Sequence, residues 1–193
     1  MINREFKQCN FLLEKNFLDE YGELITPKSK KRYQLGLYDH LLNEKETIED
    51  LKAKDDSQWF RKAENKFLSF FEEIMTNETM VEISEGILSN FDFANSINSF
   101  DYEDRENYIE FIRCYKRIET NIFQIESVND IRLFTKFLTR EIHNPTFHFE
   151  YGKVNLLSNF DMFYPIFFEN DIQAEKYSKI AIKHGLYILE IKL

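Results

Sequence analysis

The sequence predicts an α+β protein: a helix-rich N-terminal two-thirds, then a small C-terminal sheet made of a hairpin plus one crossover helix. Three observations predict it. Apolar residues recur every three or four positions through roughly the first 125 residues, the period of a helix face. After Pro145 the period drops to two, with Phe147, Phe149 and Tyr151 alternating with Thr146, His148 and Glu150. Gly152-Lys153 then fits a two-residue hairpin turn with glycine first, and Val154 to Leu157 is the return strand.

In chain order, Ile2 to Leu18 carries Phe6, Cys9, Leu13 and Phe17 on one helical face. Residues 22–34 break that pattern with Gly22, Pro27 and the basic run Lys28, Lys30, Lys31 and Arg32, which marks a loop. Leu35 to Ala53 resumes as helix, with Leu37, Leu41, Ile48 and Leu51 facing inward. Over residues 57–75, Phe60, Ala63, Phe67, Phe70, Phe71 and Ile74 form a wide apolar stripe with Ser57 as N-cap. Met80 to Phe91 reads as a short helix or helix-turn. Asn107 to Ile125 presents Tyr108, Phe111, Ile112, Tyr115, Ile118, Ile122 and Ile125 at helical spacing. Asn129 caps a helix bearing Ile131, Phe134, Leu138 and Ile142, and Pro145 falls just beyond its end. The aromatic run to Phe168 reads as a buried strand. Pro165 within it argues for an edge or a bulge, and an aromatic edge would accept a partner strand. Asn170 and Gln173 resemble a capping box for a helix through His184. Gly185 stands where a left-handed cap is needed, and Leu186 to Leu193 closes the chain as a strand. No stretch has the composition of a flexible linker, so residues 1–193 are expected to form a single compact domain.

Composition excludes several classes. Twenty Phe against five Gly and three Pro, with 43% hydrophobic residues, is not the make-up of a disordered chain. No apolar run approaches the ~20 residues of a membrane span. The first residues, MINREFKQCNFLLEKNF, are interrupted by charge and lack the apolar core of a signal peptide. Cys9 and Cys114 do not make a disulfide framework. A cytoplasmic protein without a membrane partner is expected.

The net charge of −9 is concentrated. Residues 72–110 hold eleven acids and one base, Arg105, for a charge of −10, and the other 154 residues carry +1. Aromatic residues, Phe91, Phe93, Phe100, Tyr102 and Tyr108, are interleaved with these acids. Such a field repels nucleic-acid backbones and anionic lipid, and it steers basic proteins toward it. Aromatics within it would serve as anchors. The candidate partner-binding residues are therefore Glu82, Glu85, Asp92, Asp101, Tyr102, Glu103, Asp104 and Glu106.

Catalytic chemistry has less support. Glu141, His143, His148 and Glu150 are the densest set of metal-ligating types, but no HExxH spacing is present, and no metal or cofactor is expected. There is no G-x-S-x-G, P-loop or G-x-G-x-x-G. Cys114 lies beside an apolar stripe without a histidine or glycine-rich context. His143-Asn144-x-x-x-His148 is similar to the Arg-Asn-x-x-x-His motif of HEPN-type ribonucleases. Only Asn144 and His148 match, with His143 in the arginine position and Pro145 breaking the helix that carries the motif. The alternative function it implies is a small RNA- or metal-dependent enzyme using residues 140–150.

In size, acidity and lack of catalytic motifs, the chain resembles the immunity proteins of bacterial toxin systems, including those of contact-dependent growth inhibition. The acidic-aromatic segment 72–110 carries that resemblance. It implies a cytoplasmic, non-enzymatic inhibitor that binds a cognate toxin domain, often a nuclease, in a one-to-one complex.

Overall fold

The computed structural model describes residues 31–83, 96–115 and 121–191. The helix expected over Ile2–Leu18 lies outside them, with Lys28 and Lys30 of the basic run. Seven strands form one antiparallel sheet: β1 Arg32–Gly36, β2 Met80–Ile83, β3 Ile122–Gln124, β4 Pro145–Phe149, β5 Val154–Leu156, β6 Tyr164–Phe168 and β7 Tyr187–Ile191. Their order is β3-β2-β4-β5-β6-β1-β7. Five helices of eleven residues or more accompany it among the described residues: α1 Glu44–Lys54, α2 Ser57–Ile74, α3 Tyr102–Tyr115, α4 Val128–Thr139 and α5 Asp171–Lys183.

The expected small C-terminal sheet is thereby overturned, because β1 comes from the end of the stretch read as a loop and the start of the helix expected over Leu35–Ala53, and β2 and β3 come from stretches read as helical. β1 lies between β6 and β7, pairing Tyr33 with Ile166 on one side and Glu190 on the other. Tyr33 and Leu35 alternate into the core, a period of two that the Leu37–Leu41 spacing masked. Met80 opens β2 rather than a helix, and Glu85 to Phe91 lie outside the described residues. Ile122 belongs to β3, so the helix does not run to Ile125 as expected; it is described over Tyr102–Tyr115 and begins earlier than expected, at Tyr102. Short apolar runs do not distinguish strand from helix by spacing alone, and pairing partners distant in the chain decide.

Register divides the sheet into two faces. Val81 pairs with Phe147, Phe147 with Leu156, Leu156 with Ile166 and Tyr33 with Ile166, so these side chains share one face. Helices α2 to α5 pack there. Phe71 of α2 meets Phe147 at a ring-centroid distance of 4.6 Å, and Phe67 meets Tyr164 at 5.3 Å. Phe111 of α3 sits between Phe123 and Phe134, and Tyr177 of α5 against Phe168. The stripe expected on α2 is the one that is buried, although its N-cap is Asp56, one residue before Ser57, accepting from the Gln58 amide at 2.8 Å. Likewise Ser127, not Asn129, caps α4 and accepts from the Asp130 amide.

After α4 the chain does not continue as helix through Ile142. Glu141, His143 and Asn144 all have positive φ, and Pro145 opens β4. The hairpin that follows is wider than expected. Phe149 pairs with Val154, leaving a four-residue loop in which Glu150, Tyr151 and Gly152 have φ of 50°, 57° and 79°. Pro165 lies in an interior strand with no bulge, opposite Gln34. Its carbonyl accepts from the Leu157 amide, just past the end of β5, so its missing N–H costs no ladder bond to β1. Asn170 caps α5 by accepting from the Gln173 amide, and Gly185 takes φ 69°, both as expected.

Phe71 is fully buried among rings on the core face. Phe71→Ala is expected to lower the unfolding free energy by about 3–5 kcal/mol. Ile182→Ala, on the exposed side of α5, should change it by less than about 0.5 kcal/mol. Urea denaturation of the three proteins checks both values.

Candidate functional site

Glu64 lies within the apolar stripe of α2 and is 4% exposed. Arg140, at the C-cap of α4, reaches it with two nearly parallel hydrogen bonds, Nε to Oε1 and Nη2 to Oε2, each 2.7 Å. Thr139 donates to the same carboxylate at 2.9 Å. The third guanidinium nitrogen, Nη1, donates to the Ser99 carbonyl, and the Arg140 charge lies 5.4 Å from the centre of the Phe100 ring. Burial works against the Arg140 cation, and the Glu64 hydrogen bonds and charge more than offset it, so its pKa is raised. This pair therefore ties α2 and α4 to the segment that starts α3.

A cleft of about 520 Å³ opens above it, between the α1–α2 corner and the end of α4. Lys54, Phe60 and Arg61 line one side, and Asp101, Arg140 and Glu141 the other. Lys54 bonds Asp50 at 2.9 Å and the Asp161 carbonyl at 3.0 Å, while Arg61 reaches Asp101 at 3.3 Å. Two loops with positive φ, at Glu141 and at Asp161–Met162, meet beside the cleft, where the Glu141 carboxylate accepts from the Asp161 amide.

The candidate partner residues fall in different places. Asp101 is exposed on the cleft rim, and Tyr102 beside it is 79% exposed. Glu106 is exposed one helical turn along from Tyr102. Glu103 belongs to the first turn of α3. Asp104 is turned into the protein and bonded to Lys136 of α4. Glu82 does not extend this surface. It projects from β2 on the sheet face opposite the helices, where Asn121 donates to it at 3.2 Å. Glu85 and Asp92 lie outside the described residues.

The concentration of charge in the sequence is also reduced in space. Glu72 pairs with Arg132, Glu73 with Lys183 and His184, and Asp104 with Lys136. The Lys183 and His184 hydrogen bonds hold the Glu73 carboxyl below its usual range. Bases outside the 72–110 segment thus neutralise several of its acids, Arg61 pairs with Asp101 as well, and Asp101, Tyr102 and Glu106 together form an exposed acidic-aromatic surface.

Residues 140–150 are not assembled as one site. His143 is buried on the helix side, its Nε2 2.7 Å from the Tyr108 hydroxyl. His148 is buried on the opposite face, its Nδ1 2.8 Å from Asn155 Oδ1. Glu150 binds Lys176 and Gln173 of α5. Among the described residues, no group of three or more His, Cys, Asp or Glu is placed to hold a metal ion. Cys114 is half-buried on α3, and Cys9 lies outside the described residues.

The residues that build this region, Glu64, Arg140, Lys54 and Lys136, were not legible as a set. One signal existed: Glu64 falls between Phe60 and Phe67 at i+4 and i−3, a carboxylate inside an apolar stripe, which requires a buried partner. Nothing local identifies Arg140 as that partner.

In comparisons with known proteins, no family model, curated sequence or solved structure matches this chain. No helix among the described residues is long and apolar enough to cross a membrane.

Removing one member of a buried ion pair strands the other. Arg140→Ala is expected to cost about 3–5 kcal/mol, whereas Glu64→Leu combined with Arg140→Met should recover most of that loss. A double-mutant cycle by urea denaturation measures both. Additive single effects would show that the two side chains are not coupled.

Proposed function

We propose that this chain is a cytoplasmic protein-binding inhibitor of the immunity type, neutralising a basic partner such as a toxin nuclease domain without chemistry of its own. The observation that carries the reading is Tyr102. Among the described residues most aromatic rings are buried, yet this one is 79% exposed, between Asp101 and Glu106. An exposed aromatic flanked by acids suits a partner rich in Lys and Arg. The ring supplies an anchor, and the acids steer encounter and surround the anchor with a polar rim. Acids are also favoured at this end of α3 by the helix dipole, so they stand there without loss to the fold. The Arg140–Ser99 bond supports the same reading, because it holds the start of α3 in place and lowers the ordering cost of binding.

The test pairs the purified chain with the basic protein encoded beside its gene and follows binding kinetics at two salt concentrations. Asp101→Ser with Glu106→Ser should slow association several-fold at low salt and leave it nearly unchanged at high salt. Tyr102→Ala should speed dissociation about tenfold or more. Asp104 is left intact because it is bonded to Lys136. In cells, the chain should restore growth arrested by the partner. Association that is equal for wild type and the double variant, and indifferent to salt, would sink the electrostatic reading.

A further inference from the structure

Helix α1 is turned inside out. The sequence places Leu41, Ile48 and Leu51 on an inward face, but in the structure they are 56%, 47% and 45% exposed, and the buried residue of α1 is Asp50. The inward side is polar: Tyr38 donates to Asp50 at 2.5 Å, and Lys54 bonds both Asp50 and Asp161. That network holds the helix in this rotation and leaves its apolar residues to solvent. Beside Leu41 and Leu51 runs a groove of about 360 Å³ whose lining mixes these leucines, Leu42 and Phe163 with polar Gln34, Thr47 and Asp161. Ile48 and Leu51 exposed three residues apart on the helix, with Leu41 ahead of its Asn43 cap and a groove beside Leu51, have the anatomy of an interface rather than of scattered surface leucines.

The charges on the strip indicate what covers it. Glu44, Ile48 and Lys52 are spaced by four, so they follow one side of the helix, acid first and base last. Rotating a second α1 by 180° about Ile48 sets Glu44 of each copy opposite Lys52 of the other, with Ile48 against Ile48 between them. Leu51 then lies on the stem of the other copy's Lys45, and the groove beside Leu41 receives side chains from across the axis. The helix dipole alone accounts for acids in the first turn and bases in the last. It does not account for Ile48 and Leu51 facing water.

We propose that the apolar strip of α1 is covered by the α1 of a second copy of this chain, antiparallel, in a two-fold symmetric dimer. The contact is small. An eleven-residue helix is about 16 Å long, so with the groove it buries an area at the low end for stable complexes. Dimerisation is therefore weak and concentration-dependent.

Sedimentation equilibrium of the full chain over a wide concentration range tests this, with circular dichroism confirming that each variant is folded. The wild type should pass from monomer to dimer. Ile48→Glu should remain monomeric at every concentration. Glu44→Lys and Lys52→Glu should each be monomeric alone, because each reversal sets like charges opposite one another. Mixed in equal amounts they should form a dimer at least as tight as wild type, since both cross-axis pairs are then complementary. A wild type monomeric throughout would assign the strip to a different protein and overturn the proposal. So would a dimer that survives Ile48→Glu, or a mixture of the two reversed chains that fails to associate.

Discussion

The buried pair of Glu64 and Arg140 is the constraint on which the junction of α2, α4 and the start of α3 depends. A carboxylate 4% exposed in an aromatic core is tolerated only if its charge and lone pairs are met, and Arg140 and Thr139 meet them from a single turn of chain. The guanidinium has capacity left over. It spends that capacity on the Ser99 carbonyl and the Phe100 ring, so the same residue that closes α4 also places the start of α3. Replacing the pair by apolar residues could stabilise the fold as well, but it would not hold Ser99 in position. Its role is to fix where Asp101 and Tyr102 stand.

Around that pair, among the described residues, helices α2 to α5 cover one face of an antiparallel sheet. Aromatic rings fill the layer between them: Phe67, Phe70 and Phe71 from α2, Phe111 from α3, Phe134 and Phe137 from α4. Rings of this size interlock across helix–sheet and helix–helix contacts at edge-to-face angles. The opposite face is more polar, with His148, Asn155 and Glu82 side by side across β4, β5 and β2.

Charge behaves differently along the chain and in space. The 72–110 segment is strongly acidic when read in order, yet α4 and α5 bring Arg132, Lys136 and Lys183 against it. The surface that survives this pairing is smaller and more specific than the segment. Polar packing also sets the rotation of α1. Asp50 sits beneath it with Tyr38, whose phenol is pushed well above its ordinary pKa by burial and then by the Asp50 hydrogen bond and charge. With a polar network underneath, the apolar side is left outside.

Long amphipathic helices were determined by the sequence itself. The α2 stripe, the Tyr108–Phe111–Ile112 face of α3 and the Ile131–Phe134–Leu138 face of α4 read correctly, because many turns of consistent spacing outweigh local ambiguity. So did the Asn170 cap and Gly185, whose roles follow from backbone chemistry within a few residues. The tertiary structure alone decided the rest. β1, β2 and β3 hold three to five residues each, too few for a period to declare itself, and they exist as strands because β6 and β7 pair with β1, β4 with β2, and β2 with β3. Glu64 was visible as an anomaly, but its partner lies 76 residues away. The outward face of α1 and the neutralised acids of 72–110 arise from contacts between distant segments. Spacing encodes which residues share a face; only the folded chain settles which face meets the core, since that depends on what else arrives there.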